Sequence, residues 1–261
     1  MGMNSIMVSL TRAGFAARGI MYATIGLLAL RSGRAEDGAG ALELLQQGAG
    51  KTLLAAMAVG FLGYGFWRLS EAAIDTEGHG TDAKGLAVRT GGAISGVVHL
   101  GLSWIAATLV LGGEGGGDGA HTGAAAALRI PGGWALLGVA AGALALVGAY
   151  QILRAAKGGF LRRLDRRVAS QSWVLWMGRC GYGARGIVFL IMAWFLWKAA
   201  SQTRASAAGG VGEALASLPE GLRMGVAVGF LLFGLFSLVE SRYRRINDPQ
   251  IVDRVTGAAS P

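Results

Sequence analysis

Two stretches place a permanent charge inside an otherwise apolar run. TRAGFAARGIMY (residues 11–22) carries Arg18, and RCGYGARGIVFL (179–190) carries Arg185, each six residues after another arginine. A guanidinium has five N–H donors and no acceptor, so it needs a carboxylate, a set of carbonyls, an aromatic face or a phosphate. Two acids lie near the ends of other apolar runs, Glu71 and Glu240. The spacing predicts that Arg18 pairs with Glu71, or with the last carbonyls of the second apolar run, and that Arg185 pairs with Glu240. The alternatives are an arginine that snorkels to the lipid phosphates and a ligand or headgroup site. A middle copy of the motif, RTGGAISG (89–96), has Ser95 where the second arginine stands, and Arg154 and Lys157 where an acid would be expected.

Other polar groups are fewer. His99 falls within an apolar run at the position of Tyr22 and Phe189. If the centre held a water-filled cavity, Tyr22, Ser95, His99 and Tyr150 are the residues expected to line it. No second His, Cys or carboxylate shares the run of His99, so a hydrogen-bonded packing role is expected for it. His79 and His121 fall in connecting segments. The stretch GFLRRLDRRVASQSW (159–173) sets Phe160, Leu164 and Val168 at i, i+4, i+8, flanked by Arg162, Arg163, Arg166 and Arg167. That pattern predicts a short basic helix on the inner leaflet, with these arginines contacting anionic lipid. The chain shows no nucleotide loop, zinc signature, nucleophile motif or paired carboxylates. Neither cofactor nor metal is expected, and no enzyme activity.

These groups must be held by elements that the composition defines. Of 261 residues, 53% are hydrophobic and 15% charged, against about 25% charged in a soluble domain. The 45 glycines lack a Gly-X-Y period, and the single cysteine excludes an internal disulfide framework. Six apolar stretches approach the ~20 residues of a bilayer-spanning helix: 13–30, 52–69, 92–111, 134–153, 173–197 and 222–239. A signal peptide over residues 1–35 is disfavoured because the same pattern recurs at 179–197. GGEGGGDGAHTG (112–123) is a flexible connector by composition. Short interfacial helices are expected at 40–45 and 212–218, with 125–133 as their middle counterpart. Glycine stripes at 92/96, 138/142 and 221/225/229 predict close helix approach within the chain.

The motifs form an internal repeat. RAGFAARG (12–19) matches RCGYGARG (179–186) at five of eight positions, and each copy is followed by a second apolar run. The chain is therefore expected to be all-α: a polytopic membrane protein of six transmembrane helices, arranged as three parallel two-helix repeats with pseudo-threefold symmetry. The expected boundaries are 10–76 for the first repeat, 86–158 for the degenerate second, 159–172 for the basic surface helix, 173–247 for the third repeat and 248–261 for a cytoplasmic tail. One side of this arrangement carries 17 Lys and Arg against 8 Asp and Glu, the other 7 against 7. The net charge of +9 thus lies on one face, which predicts cytoplasmic termini and makes the basicity a topology signal, with no nucleic-acid partner. Trp67, Trp173 and Trp176 near one boundary and Trp134, Trp194 and Trp197 near the other predict aromatic belts, with Trp104 packed between helices.

The triplicated Arg-x-Gly-Tyr-x-Ala-Arg-Gly-Ile-Val-Phe pattern and the ending GLFSLVESRYRRI (234–246) resemble the bacterial domain-of-unknown-function 1206 family. The resemblance implies a six-helix inner-membrane protein built from three copies of one two-helix domain, and no activity. The middle copy departs from the pattern by lacking the Ala-Arg-Gly step. The expected function is structural or accessory, with membrane lipid or another membrane protein as partner; a small-solute carrier with a central site is the alternative. Three two-helix repeats are also the plan of mitochondrial-type carriers, but their Pro-x-Asp/Glu-x-x-Lys/Arg kinks are absent here.

Overall fold

The computed structural model describes residues 3–32, 38–46, 50–75, 80–114 and 119–245. Ten α-helices follow in order: α1 (Met3–Ser32), α2 (Gly38–Leu44), α3 (Gly50–Ile74), α4 (Ala83–Val110), α5 (Gly119–Leu128), α6 (Gly133–Lys157), α7 (Arg166–Ala169), α8 (Ser172–Gln202), α9 (Val211–Ala216) and α10 (Glu220–Tyr243). Six of the described helices, α1, α3, α4, α6, α8 and α10, are long and apolar enough to cross a membrane. Leu, Ala and Gly runs satisfy every backbone group internally, which lipid requires. Their ends are set by local chemistry. The Asp82 side chain accepts from the backbone N–H of Gly85 at 2.8 Å and starts α4. Gly158, at φ +64°, ends α6 in a left-handed conformation that glycine adopts without strain.

The long helices pack as an arc of neighbours, α4–α3–α1–α10–α8–α6. The centre of the arc is α1: half of its apolar window is buried against protein, compared with 22% for α6 at one end. This revises the picture of three hairpins. The first and third repeats do pack their own two helices, α1 on α3 and α8 on α10. The two helices of the middle repeat, α4 and α6, share no extended contact among the described residues and form the two ends of the arc.

The most extensive packing instead joins one repeat to the next, and it is built three times from the same part. Gly19 of α1 meets Gly234 and Leu238 of α10; Gly96 of α4 meets Gly65 and Leu69 of α3; Gly186 of α8 meets Gly148 and Ile152 of α6. A Cβ added at Gly19, Gly96 or Gly186 would lie 2.9–3.0 Å from the facing glycine's carbonyl oxygen, so glycine alone permits these crossings. Of the glycine stripes, Gly96 and Gly229 sit at close contacts within the chain, and a Cβ at Gly92 would meet Arg68 and Glu71 only at 3.7 Å. Gly138, Gly142, Gly221 and Gly225 face open space.

Four further corrections concern the connections and tryptophans. The middle interfacial helix is α5, at 119–128 and not 125–133, and it takes up His121 and the end of the glycine-rich connector. The basic segment is not one surface helix: a 3-10 turn (Gly159–Arg163) is followed by Leu164, which bridges to Arg244, and only then by α7. Phe160 and Leu164, expected on lipid, are buried inside with Tyr182, Phe233 and Phe236. Trp67 is 9% exposed and packs on Phe15 and Tyr64, whereas Trp104, expected between helices, is 76% exposed. The tail at 248–261 and His79 lie outside the described residues.

Candidate functional site

The glycine crossings fix which side chains face each other nearer the C-terminal ends of α3, α6 and α10, the second long helix of each repeat. Glu71, Arg154 and Glu240 each stand six residues after the crossing glycine of their helix, Gly65, Gly148 or Gly234, and three residues before its last residue. Opposite them, one residue before the partner glycine, stand Ser95, Arg185 and Arg18. The three interfaces therefore carry Ser/Glu, Arg/Arg and Arg/Glu at one level.

The α1/α10 interface closes an ion pair across repeats. Arg18 Nη2 donates to Glu240 Oε2 at 2.6 Å, Nη1 to the Tyr64 hydroxyl at 3.0 Å, and Nε to Ser237 Oγ at 3.2 Å. Arg244 Nη1 donates to the other carboxylate oxygen of Glu240 at 3.0 Å, so both oxygens are engaged. The guanidinium of Arg18 lies 4.7 Å from the Phe15 ring centre and 5.1 Å from that of Phe233. Arg18 is 6% and Glu240 1% exposed, which excludes a snorkelling arginine.

The pairing expected from spacing is thus corrected at both positions. Arg18 bonds Glu240 of the third repeat, and not Glu71 of its own. Glu71 pairs with Arg68 one turn away on α3. Arg185 makes no ion pair or hydrogen bond among the described residues. Its guanidinium rests against the rings of Tyr22, Phe189 and Phe233 at 5.1, 5.1 and 4.5 Å, and its Nε is buried without a partner. By the register of the Gly186/Gly148 crossing the residue opposite it on α6 is Arg154 and not an acid, and the rings that its guanidinium meets belong to α1, α8 and α10.

The helix-end argument holds for a different arginine, one the spacing did not single out. In two of the three copies the first arginine of the motif reaches the final carbonyls of the second long helix of a neighbouring repeat. Arg89 donates to Ala72 and Ala73 of α3 at 2.8 and 3.0 Å, and Arg179 to Ala156 of α6 at 3.4 Å. A cation at the negative end of a helix dipole is favourable by roughly 0.3–1 kcal/mol. The signal was present in Arg12, Arg89 and Arg179, the position kept in all three motif copies.

The proposed cavity residues do not converge. His99 is buried, its Nδ1–H donating to the Ser95 carbonyl at 2.7 Å while Nε2 has no partner; its ring lies 4.5 Å from Tyr64. Tyr22 packs on Phe230 and Phe233, and Tyr150 is 49% exposed on α6 with no ring contact to the others. Met21, Ile25, Met57, Phe61, Val188 and Phe230, from four different helices, form one buried cluster at the centre.

At the end of the bundle where α10 finishes, the segment before α8 straps across it. Asp165 N–H donates to the Tyr243 carbonyl at 3.0 Å and Arg245 N–H to the Arg163 carbonyl at 2.8 Å. Beside this strap a cleft of about 580 Å³ is lined by Arg12, Asp165, Arg167, Arg242, Arg244 and Arg245. Of the four arginines expected on lipid, Arg162, Arg166 and Arg167 are exposed and Arg163 is half-buried. Burial, together with the Arg244 cation, pushes Arg163 down to about 10, and Glu71 opposes that shift.

This fold and charge pattern define a class: a six-helix membrane-type bundle made of three homologous helix pairs. The Domain of Unknown Function (DUF1206) family matches residues 13–75, 90–158 and 180–244, one match per repeat, and the chain belongs to that family. It is 30% identical over 248 residues to "Uncharacterized protein YxxB" of Bacillus subtilis (strain 168), covering 90% of each chain. No solved structure matches it.

Proposed function

We propose that the protein is a structural or accessory component of the bacterial plasma membrane, without enzyme activity of its own, whose partners are anionic inner-leaflet lipid or another membrane protein. The single observation that carries this reading is the filled centre. Met57, Phe61, Val188 and Phe230 are each at most 1% exposed, and Phe160 stops the cytoplasmic mouth at 0%. A carrier needs a solvated path past such positions, and intramembrane carboxylates for ion coupling. Glu240, the acid at the α1/α10 interface, has both oxygens engaged by arginines.

The carrier reading keeps one supporting observation, the unpartnered Arg185 and His99 Nε2 in the interior. Flux separates the two. Proteoliposomes loaded with small anions, sugars and amino acids should leak no faster than protein-free vesicles, and Phe160→Gly should not open them. Saturable, protein-dependent flux of any of these would overturn the accessory reading.

Both termini are placed in the cytoplasm on the asymmetry of Lys and Arg between the two faces. Tags at either end should be protected from an added protease in intact spheroplasts and cleaved in inverted vesicles. Opposite behaviour of the two ends would overturn the orientation.

A further inference from the structure

The three equivalent interfaces can be compared within one molecule for how each satisfies its charge. Between α1 and α10, Arg18 is satisfied by the carboxylate of Glu240 and the hydroxyl of Ser237. Between α8 and α6 the equivalent residues are Arg185, Arg154 and Gln151, by the register of the Gly19/Gly234 and Gly186/Gly148 crossings. The acid has become a second cation, and neither α6 nor α8 contains an Asp or Glu anywhere along its length.

The side chains behave as donors awaiting an acceptor. Arg185 has rings at 4.5–5.1 Å and no hydrogen bond among the described residues; its Nε is buried and unsatisfied. Arg154 lies over Tyr182 at 4.6 Å, and Tyr182 packs on Phe233 at 5.2 Å, so the two guanidinia flank one aromatic wall. Gln151 is 6% exposed and has no hydrogen-bond partner among the described residues. Aromatic faces satisfy the positive charge of a guanidinium only in part and accept few of its N–H bonds. Two buried or half-buried cations with no acid between them repel each other in a medium of low dielectric.

We propose that the α6/α8 interface binds an anionic phosphate group, held by Arg185 in the position that the Glu240 carboxylate fills between α1 and α10. Arg154 and the Gln151 amide are its further donors. The phosphate reaches this level from the inner leaflet as a lipid headgroup, or from the cytoplasm as a free ion. The chemistry is the same: a planar guanidinium fork matched to two phosphate oxygens. The inference rests on the membrane placement above and not on the accessory reading, so a protein that conducts solute would leave it intact.

The test uses purified full-length protein, exhaustively delipidated and checked by phosphorus content. Melting temperature is followed against phosphatidylglycerol in mixed micelles, phosphatidylcholine as the neutral control, and inorganic phosphate. A ligand that binds only the folded state raises Tm with its concentration. Phosphatidylglycerol or phosphate should raise Tm, phosphatidylcholine should not, and the effective probe identifies the source. Arg154→Glu restores the missing carboxylate, so it should melt higher than the parent without ligand and lose the ligand-dependent rise. Arg185→Gln should raise the half-saturating concentration at least tenfold and carry less phosphorus through purification. If neither anion shifts the parent, or if Arg154→Glu and Arg185→Gln respond as it does, the site does not exist.

Discussion

Arg18→Ala should be the most damaging single truncation of a polar side chain in this protein, costing about 3–5 kcal/mol of stability in detergent. The change leaves Glu240, 1% exposed, with Arg244 still paired to its other oxygen, and takes from the Tyr64 hydroxyl and Ser237 the arginine that donates to them. Glu240→Gln should cost a similar amount for the opposite reason, since it strands two cations. Because the two side chains share one interaction, the double variant should cost roughly 1–3 kcal/mol less than the sum of the singles. Glu71→Gln serves as the contrast: its ion pair is with Arg68, so its loss should add to that of Arg18→Ala. Unfolding curves of the parent, the three single variants and the two double variants with Arg18→Ala decide the matter. Strict additivity of Arg18→Ala with Glu240→Gln would show that the pair is not what joins the first and third repeats.

A single methyl group should separate two kinds of glycine. At Gly234 an added Cβ would lie 2.6 Å from both the backbone nitrogen of Ala23 and the carbonyl oxygen of Gly19. Neither atom can yield without moving a helix, so Gly234→Ala should destabilise by about 1–3 kcal/mol. At Gly142, also mid-helix, a Cβ meets nothing within 4 Å. There the substitution removes only glycine's helix penalty, and Gly142→Ala should be neutral or stabilising by up to ~1 kcal/mol. The measurement is the difference in melting midpoint between the two variants. Equal effects would mean that the α1/α10 crossing is looser than its geometry.

What could be read in the residues and what could not divides along a physical line. Helix positions follow from uninterrupted apolar length, which lipid demands of any crossing segment, so the six spans were legible. The repeat was legible because three copies of an Arg-Gly motif are hard to produce otherwise. Pairing was not. Arg18 and Glu71 belong to one repeat and seemed natural partners, but sequence spacing does not say which helix a glycine face will meet. It meets a helix of another repeat, so the acid across from Arg18 is Glu240 of the third repeat and not its counterpart Glu71 in the first. The basic segment failed for a related reason. Phe160 and Leu164 have the spacing of a lipid-facing stripe, and spacing alone does not distinguish lipid from the open end of a bundle. Gly178 was the available clue, because an added Cβ there would lie 2.1 Å from the Phe160 ring.

The bond between Arg18 and Glu240 spans 222 positions of chain. Its cation is on α1 and its anion on α10, so the contact closes the first repeat onto the third. The first two repeats alone hold the cation without its acid, and the bundle neutralises that charge only when the third repeat docks.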